Sequence, residues 1–111
     1  MNLVRPPNHV VPLVVDVSRT PTGVWLEVGG EIDLLNSNQL REQLSAVEFD
    51  GAEVIHLDLH RLTFCDSEGT RVLLRFLRRA HLDGHRATIR GATPLLHKVL
   101  VLLGDGDLTF E

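Results

Sequence analysis

The stretch from Val54 to Leu77 constrains this chain most, because its apolar period changes from two residues to about 3.6 across one short polar segment. Ile55, Leu57 and Leu59 fall on one side of an extended strand, with Val54, His56 and Asp58 on the other. The strand pattern stops at Thr63-Phe64-Cys65-Asp66-Ser67-Glu68-Gly69, after which Val72, Leu73, Phe76 and Leu77 recur at helical spacing. A hydroxyl, Ser67, therefore sits at the start of a helix. The first helical turn presents unpaired N–H groups and the positive end of the helix dipole, so Ser67 has two compatible readings: a helix cap, or a place where a phosphate would be well held. Asp66 and Glu68 make the loop anionic already, which sharpens the effect of a further charge of about −1.5 to −2.

The flanking punctuation extends this pattern over the chain. Leu13–Val17 and Val24–Val28 are short β-rich segments joined by Arg19-Thr20-Pro21-Thr22-Gly23, and they read as a hairpin. Asn36, with Gln39 in capping-box spacing, opens a first helix whose buried side carries Leu40, Leu44 and Val47; Asp50-Gly51 ends that connection. The second helix runs from about Ser67 to His81 and is closed by Asp83-Gly84 before a strand at Ala87–Arg90. Thr93-Pro94 supplies a cap and a first-turn proline for a third helix that runs through Leu103 and stops at Gly104. Leu108–Phe110 offers a last, short strand. Strands alternating with crossover helices after a hairpin predict an α/β domain with a mixed sheet of about four to five strands and packed helices. Residues 1–12, with three prolines and little periodicity, read as a flexible arm before a single domain over residues 13–111.

Size and composition narrow the function. A chain of 111 residues lies above the size at which disulfides or metals become necessary for a stable core. No run approaches the roughly 18 apolar residues of a membrane span, and Asn2, Arg5, Pro6, Pro7 and Asn8 interrupt any signal-peptide core, so a soluble cytoplasmic protein is expected. The net charge of −4 and the lack of a basic run argue against nucleic acid as the main partner. Arg71, Arg75, Arg78 and Arg79 lie along one broad face of the second helix, either simply solvated or available to a partner's carboxylates or phosphates.

Catalytic and metal chemistry find little purchase. The lone cysteine, Cys65, reads as a small buried hydrophobe rather than a nucleophile. Among six histidines, His81 and His85 have i, i+4 spacing, but Gly84 ends the helix between them, and His56 and His60 lack a cysteine arrangement suited to zinc. Ser67 lacks the Gly-x-Ser-x-Gly elbow of a hydrolase, and no P-loop or dinucleotide fingerprint occurs. No enzyme activity, cofactor or metal is expected.

Asp66-Ser67-Glu68-Gly69, following the strand Val54–Leu59, resembles the D-S-x-G phosphoacceptor loop of STAS domains, particularly bacterial anti-sigma factor antagonists. Gly30-Glu31-Ile32-Asp33, followed by the helix pattern Leu40-Arg41-Glu42-Gln43-Leu44, is similar to that family's G-E-[LI]-D element, and order and spacing agree. Glu68 and Thr70 depart from the small or hydroxyl residue and the aliphatic residue common at those positions. The resemblance implies a non-enzymatic STAS domain in which Ser67 is the phosphoacceptor and Asp66 positions it. It also implies that Asp33, Asp66, Ser67, Glu68, Gly69 and Arg71 contribute to partner binding. The implied partners are an anti-sigma factor with an ATP-binding serine kinase fold and a PPM-type phosphatase, with ATP and Mg²⁺ belonging to the kinase. The alternative is a STAS scaffold or sensor that binds another signalling protein without phosphorylation of Ser67.

Overall fold

A computed structural model of the chain describes residues 11–104 and 108–111. Residues 1–10 of the expected arm lie outside the described residues.

The β-rich segments expected to form a hairpin do so. Strand β1 (Val14–Arg19) pairs antiparallel with β2 (Gly23–Ile32), and Thr20 closes the turn by donating its N–H to the Gly23 carbonyl at 2.9 Å. Helix α1 (Ser37–Ser45) crosses to β3 (Val54–Asp58), which lies parallel to β2. After β4 (Leu62–Cys65), α2 (Ser67–Leu82) leads to β5 (Arg86–Arg90), parallel to β3. Helix α3 (Pro94–Leu103) then returns the chain to β6 (Leu108–Phe110), parallel to β5. The main sheet order is β1-β2-β3-β5-β6.

One face of this sheet carries the core. Val24, Leu26, Val28, Ile55, Leu57 and Ile89 are essentially inaccessible and meet Leu40 and Leu44 of α1, Val72, Leu73, Phe76 and Leu77 of α2, and Leu96 and Leu100 of α3. Alternate residues Trp25, Glu27, His56, Asp58, Thr88 and Arg90 are only half-buried, as the strand period requires.

Two local features differ from expectation. The segment from Thr63 onward, expected as loop, begins as strand: Leu62, Phe64 and Cys65 pair in parallel with Gly30, Glu31 and Ile32. The cause is β2, which runs ten residues and so extends past the end of β3, offering a free edge. Its register shifts between Gly30 and Glu31, at a glycine with φ of +88° that turns the strand where a side chain would strike the Pro12 carbonyl. The second difference is Asn36. It precedes α1 but makes no side-chain cap bond to it. Its Oδ1 accepts from the Asp33 N–H at 3.0 Å and its Nδ2 donates to the Glu31 carbonyl at 2.8 Å, so the side chain braces the loop behind it instead.

Candidate functional site

The two motifs meet at the ends of β2 and β4. Ile32 is the register partner of Cys65, and the Asp66 N–H donates to the Ile32 carbonyl at 3.1 Å, so the chain leaves the sheet at Asp33 and at Asp66 from adjacent parallel strands. Parallel pairing puts both exits at one end. The loop before α1 and the start of α2 consequently lie side by side.

Each loop is held by its own aspartate. Asp33 Oδ1 accepts from the Leu35 N–H at 2.9 Å, and its carbonyl accepts from Ser37 N–H at 2.9 Å, which folds the loop into a tight Asx turn. Asp66, rather than Ser67, is the N-cap of α2: its backbone is extended, with φ −83° and ψ −174°, and Oδ1 accepts from the Gly69 N–H at 2.9 Å. The Asp66 carbonyl accepts from both the N–H and the hydroxyl of Thr70, at 3.0 and 2.9 Å. Ser67 is the first residue of α2 and is exposed. Its hydroxyl is thus displayed on a backbone fixed on both sides.

The remaining predicted site residues divide between surface and interior. Glu68 lies 3.8 Å from the exposed Arg71 guanidinium, one turn along the same helix. Gly69 is buried, and the structure supplies an internal reason for it. A Cβ there would lie 2.5 Å from Ile32 Cγ2 and 2.8 Å from Cys65 Sγ, so the missing side chain lets α2 seat against the ends of β2 and β4. Burial is the main cause that pushes the Cys65 thiol up to about 11, with the Asp66 charge adding to it and a hydrogen bond with Thr70 opposing. Such a thiol is a poor nucleophile at neutral pH.

Leucines around this end form a feature that sequence reading missed. Leu34 and Leu35 are 72% and 93% exposed at the tip of the Asp33 loop. A cleft of about 650 Å³ opens between β4, α2 and α3, walled by Leu59, Leu62, Leu74, Leu96 and Val99, and its rim includes Asp66, Ser67 and Arg71. The only sequence signal was a Leu-Leu pair outside any helical period and a third helix apolar on more than one side.

Arg79 departs from the arginine face to which its spacing assigned it. It folds back over the Phe49 ring, 4.2 Å from the centroid, and donates to the carbonyls of Leu44, Ser45 and Val47 at 3.4, 3.2 and 2.6 Å. These carbonyls lie at the end of α1 and just beyond it, and that of Leu44 also accepts from the Val47 N–H at 3.2 Å. The histidines are dispersed: His56 bonds Thr88, His60 bonds Asp58, His85 bonds the Ala52 carbonyl beyond the end of α2, and His97 stacks on Phe110. Among the described residues no group of three or more His, Cys, Asp or Glu is placed to hold a metal, and no helix is long and apolar enough to cross a membrane.

A mixed sheet entered by a hairpin, with an exposed serine at the start of the helix after β4, defines a STAS domain. The chain belongs to that family: residues 8–109 match the family described as "Mlab, STAS domain". The anti-sigma-B factor antagonist of Staphylococcus aureus (strain NCTC 8325 / PS 47) is 25% identical over 83 residues, 75% of this chain and 77% of the relative. Among solved structures, the anti-sigma factor antagonist SpoIIAA in its unphosphorylated form superposes with a TM-score of 0.69 at 23% identity, covering 90% of this chain and 87% of its own. The Bacillus cell fate determinant SpoIIAA in the phosphorylated form gives 0.67 at 25% identity, covering 88% and 91%. The same fold appears in the STAS domain of a SulP transporter from Vibrio cholerae, with a TM-score of 0.53 at 17% identity over 78% of this chain and 70% of that one. The chain is thus a distant homologue of anti-sigma factor antagonists, a class that is typically non-enzymatic.

Proposed function

We propose that this protein is a cytoplasmic anti-sigma factor antagonist. With Ser67 unmodified it docks on an anti-sigma factor of ATP-binding serine kinase fold and thereby frees a sigma factor. The kinase then transfers phosphate to Ser67 and releases the antagonist, and a PPM-type phosphatase restores it. The observation that carries this reading is the exposed Ser67 hydroxyl on a braced helix start, beside the Asp33 loop. The adjacent leucine-walled cleft and the exposed Leu34 and Leu35 add apolar surface of the kind a protein partner buries.

The chemistry gives the switch its sign. A phosphate on Ser67 adds about −1.5 to −2 to a surface that already holds Asp33, Asp66 and Glu68, and its dianion must be desolvated on docking. Binding should weaken by about 2 kcal/mol or more, roughly thirtyfold in Kd. Calorimetric titration of unmodified and phosphorylated protein against the same anti-sigma factor tests this, with peptide mapping to place the phosphate. Equal or tighter binding by the phosphorylated form refutes the antagonist mechanism. Undiminished binding with no labelling of Ser67 favours the scaffold reading, for which Glu68 beside the serine is the supporting departure.

A further inference from the structure

The helices α1 and α2 enclose a second, smaller cleft on the arginine-bearing side of the molecule, about 230 Å³ in volume. Its lining combines apolar Leu44, Val72 and Phe76 with three arginines, Arg41, Arg75 and Arg79. No carboxylate lines it. Arginine accounts for ten of the eleven basic residues, so abundance alone would scatter guanidiniums over the surface. Three around one small cleft with no carboxylate in its lining is a different matter, because an anion entering it would meet three like charges at once.

The three arginines are not equivalent. Arg79 is committed to the carbonyls at the end of α1 and contributes chiefly its charge. Arg41 donates through Nη1 to Asn38, one turn earlier on α1, while its Nε is buried and has no hydrogen-bond partner among the described residues. That Nε is sealed from solvent, so a ligand in the cleft meets Arg41 at the outer, Nη end of its guanidinium. Arg75 is exposed on the facing helix and supplies a second guanidinium. Two guanidiniums with a third charge behind them match a dianionic tetrahedral group better than a single carboxylate.

We propose that the α1–α2 cleft is an oxyanion site that binds the phosphate group of a phosphomonoester. Arg41 and Arg75 donate to its oxygens, and the small organic remainder rests on Leu44, Val72 and Phe76. The phosphate is either free in solution, as in a small metabolite, or displayed on a lipid headgroup. This site is separate from Ser67, which lies two helical turns earlier on α2, so the inference stands whether or not the antagonist reading does.

The test uses the full chain and ¹H–¹⁵N NMR of the arginine Nε–H groups at constant ionic strength, with three probes: inorganic phosphate, glycerol 3-phosphate, and phosphatidylcholine vesicles containing phosphatidic acid. Saturable shifts of the Arg41 and Arg75 Nε–H resonances with a soluble phosphate support a metabolite source, and binding to the phosphatidic acid vesicles alone supports a headgroup. Arg75→Glu, on an exposed position, should weaken binding at least about tenfold, and Arg41→Gln should do the same. Arg78→Glu, on the same helix but outside the cleft, controls for net charge. No saturable shift with any probe overturns the proposal, as does an equal loss on Arg78→Glu.

Discussion

Gly69→Ala sets two known effects against each other, and the structure decides the winner. Alanine in place of glycine within a helix is worth up to about 1 kcal/mol in its favour. Against that stand the added Cβ contacts, 2.5 Å to Ile32 Cγ2 and 2.8 Å to Cys65 Sγ, where comfortable carbon contacts are about 3.5–4.0 Å. Ile32 is completely buried and Cys65 sits in a strand paired to it, so neither end is a flexible tip that swings aside. Overpacking of this kind costs typically about 1–3 kcal/mol, and two contacts against a fixed strand place it in the upper half. The net expectation is a loss of about 1–2 kcal/mol, a fall in Tm of roughly 4–8 °C for a domain of this size. Urea denaturation followed by circular dichroism reads it as a lower midpoint with unchanged slope. Ile32→Ala removes the methyl that clashes, so Gly69→Ala should cost at least about 1 kcal/mol less in that background than in the wild type. An unchanged or raised midpoint for Gly69→Ala, or strict additivity of the pair, would refute the packing argument and leave glycine there as a mere helix penalty.

Asp66→Ala deletes the bond to the Gly69 N–H and should lower stability by about 1 kcal/mol in the same denaturation assay, with Asp66→Asn recovering most of it. Arg79→Ala should cost about 2 kcal/mol, because it uncovers the Phe49 ring and three carbonyls at the end of α1; Arg79→Lys should not rescue it, since an ammonium lacks the planar fork that reaches them. Cys65 should resist thiol-disulfide reagents at pH 8, where a thiol with a pKa of about 11 is only about 0.1% thiolate, and labelling of the native protein should climb above pH 10. Because that pKa is raised on folding, the same group stabilises the fold below about pH 8.5 and loses its contribution as the pH rises towards 11, so the urea midpoint should fall over that window in the wild type and less in Cys65→Ala.

The legible parts of this fold are those whose signals are local. The hairpin, α2 and α3 follow from turn residues, caps and period, and Thr93 accepts from the Leu96 N–H at 3.2 Å, as its place before Pro94 predicts. β4 was not legible because four residues carry too little alternation to register, and its existence depends on a free edge of β2 some thirty residues away. Arg79 defeats a helical wheel for a similar reason: its angular position is that of a solvent residue, yet a long side chain reaches carbonyls and a ring on another element. Asn36 has the composition of a cap but finds better acceptor and donor positions on Asp33 and Glu31 behind it. At the site, the helix start at Ser67 was readable from residues 63–69, whereas the cleft beside it is assembled from three elements and left only unplaced leucines as a trace.

The residues that hold the Ser67 loop are distinct from those it shows to solvent, and the division has a mechanical consequence. Asp66, Gly69, Thr70 and Cys65 are engaged inward, by bonds to Ile32, to the first turn of α2 and to one another, while Ser67 and Arg71 are exposed around them. A charge placed on Ser67 therefore loads the surface without breaking an anchor. Its effect on folding is the sum of two small opposing quantities: attraction to the N-terminus of α2, about 0.3–1 kcal/mol, and repulsion from Asp66 and Glu68 of similar size in solvent. Ser67→Asp should accordingly leave the urea midpoint within about 0.5 kcal/mol of the wild type, the range of an ordinary surface substitution. Partner affinity is under no such cancellation, because docking excludes the water that screens the added charge. A Ser67→Asp protein that binds less tightly while unfolding at the wild-type midpoint would separate the switch from the scaffold; one that loses more than about 1 kcal/mol of stability would mean that Ser67 is itself an anchor, and that modification acts by loosening the helix start.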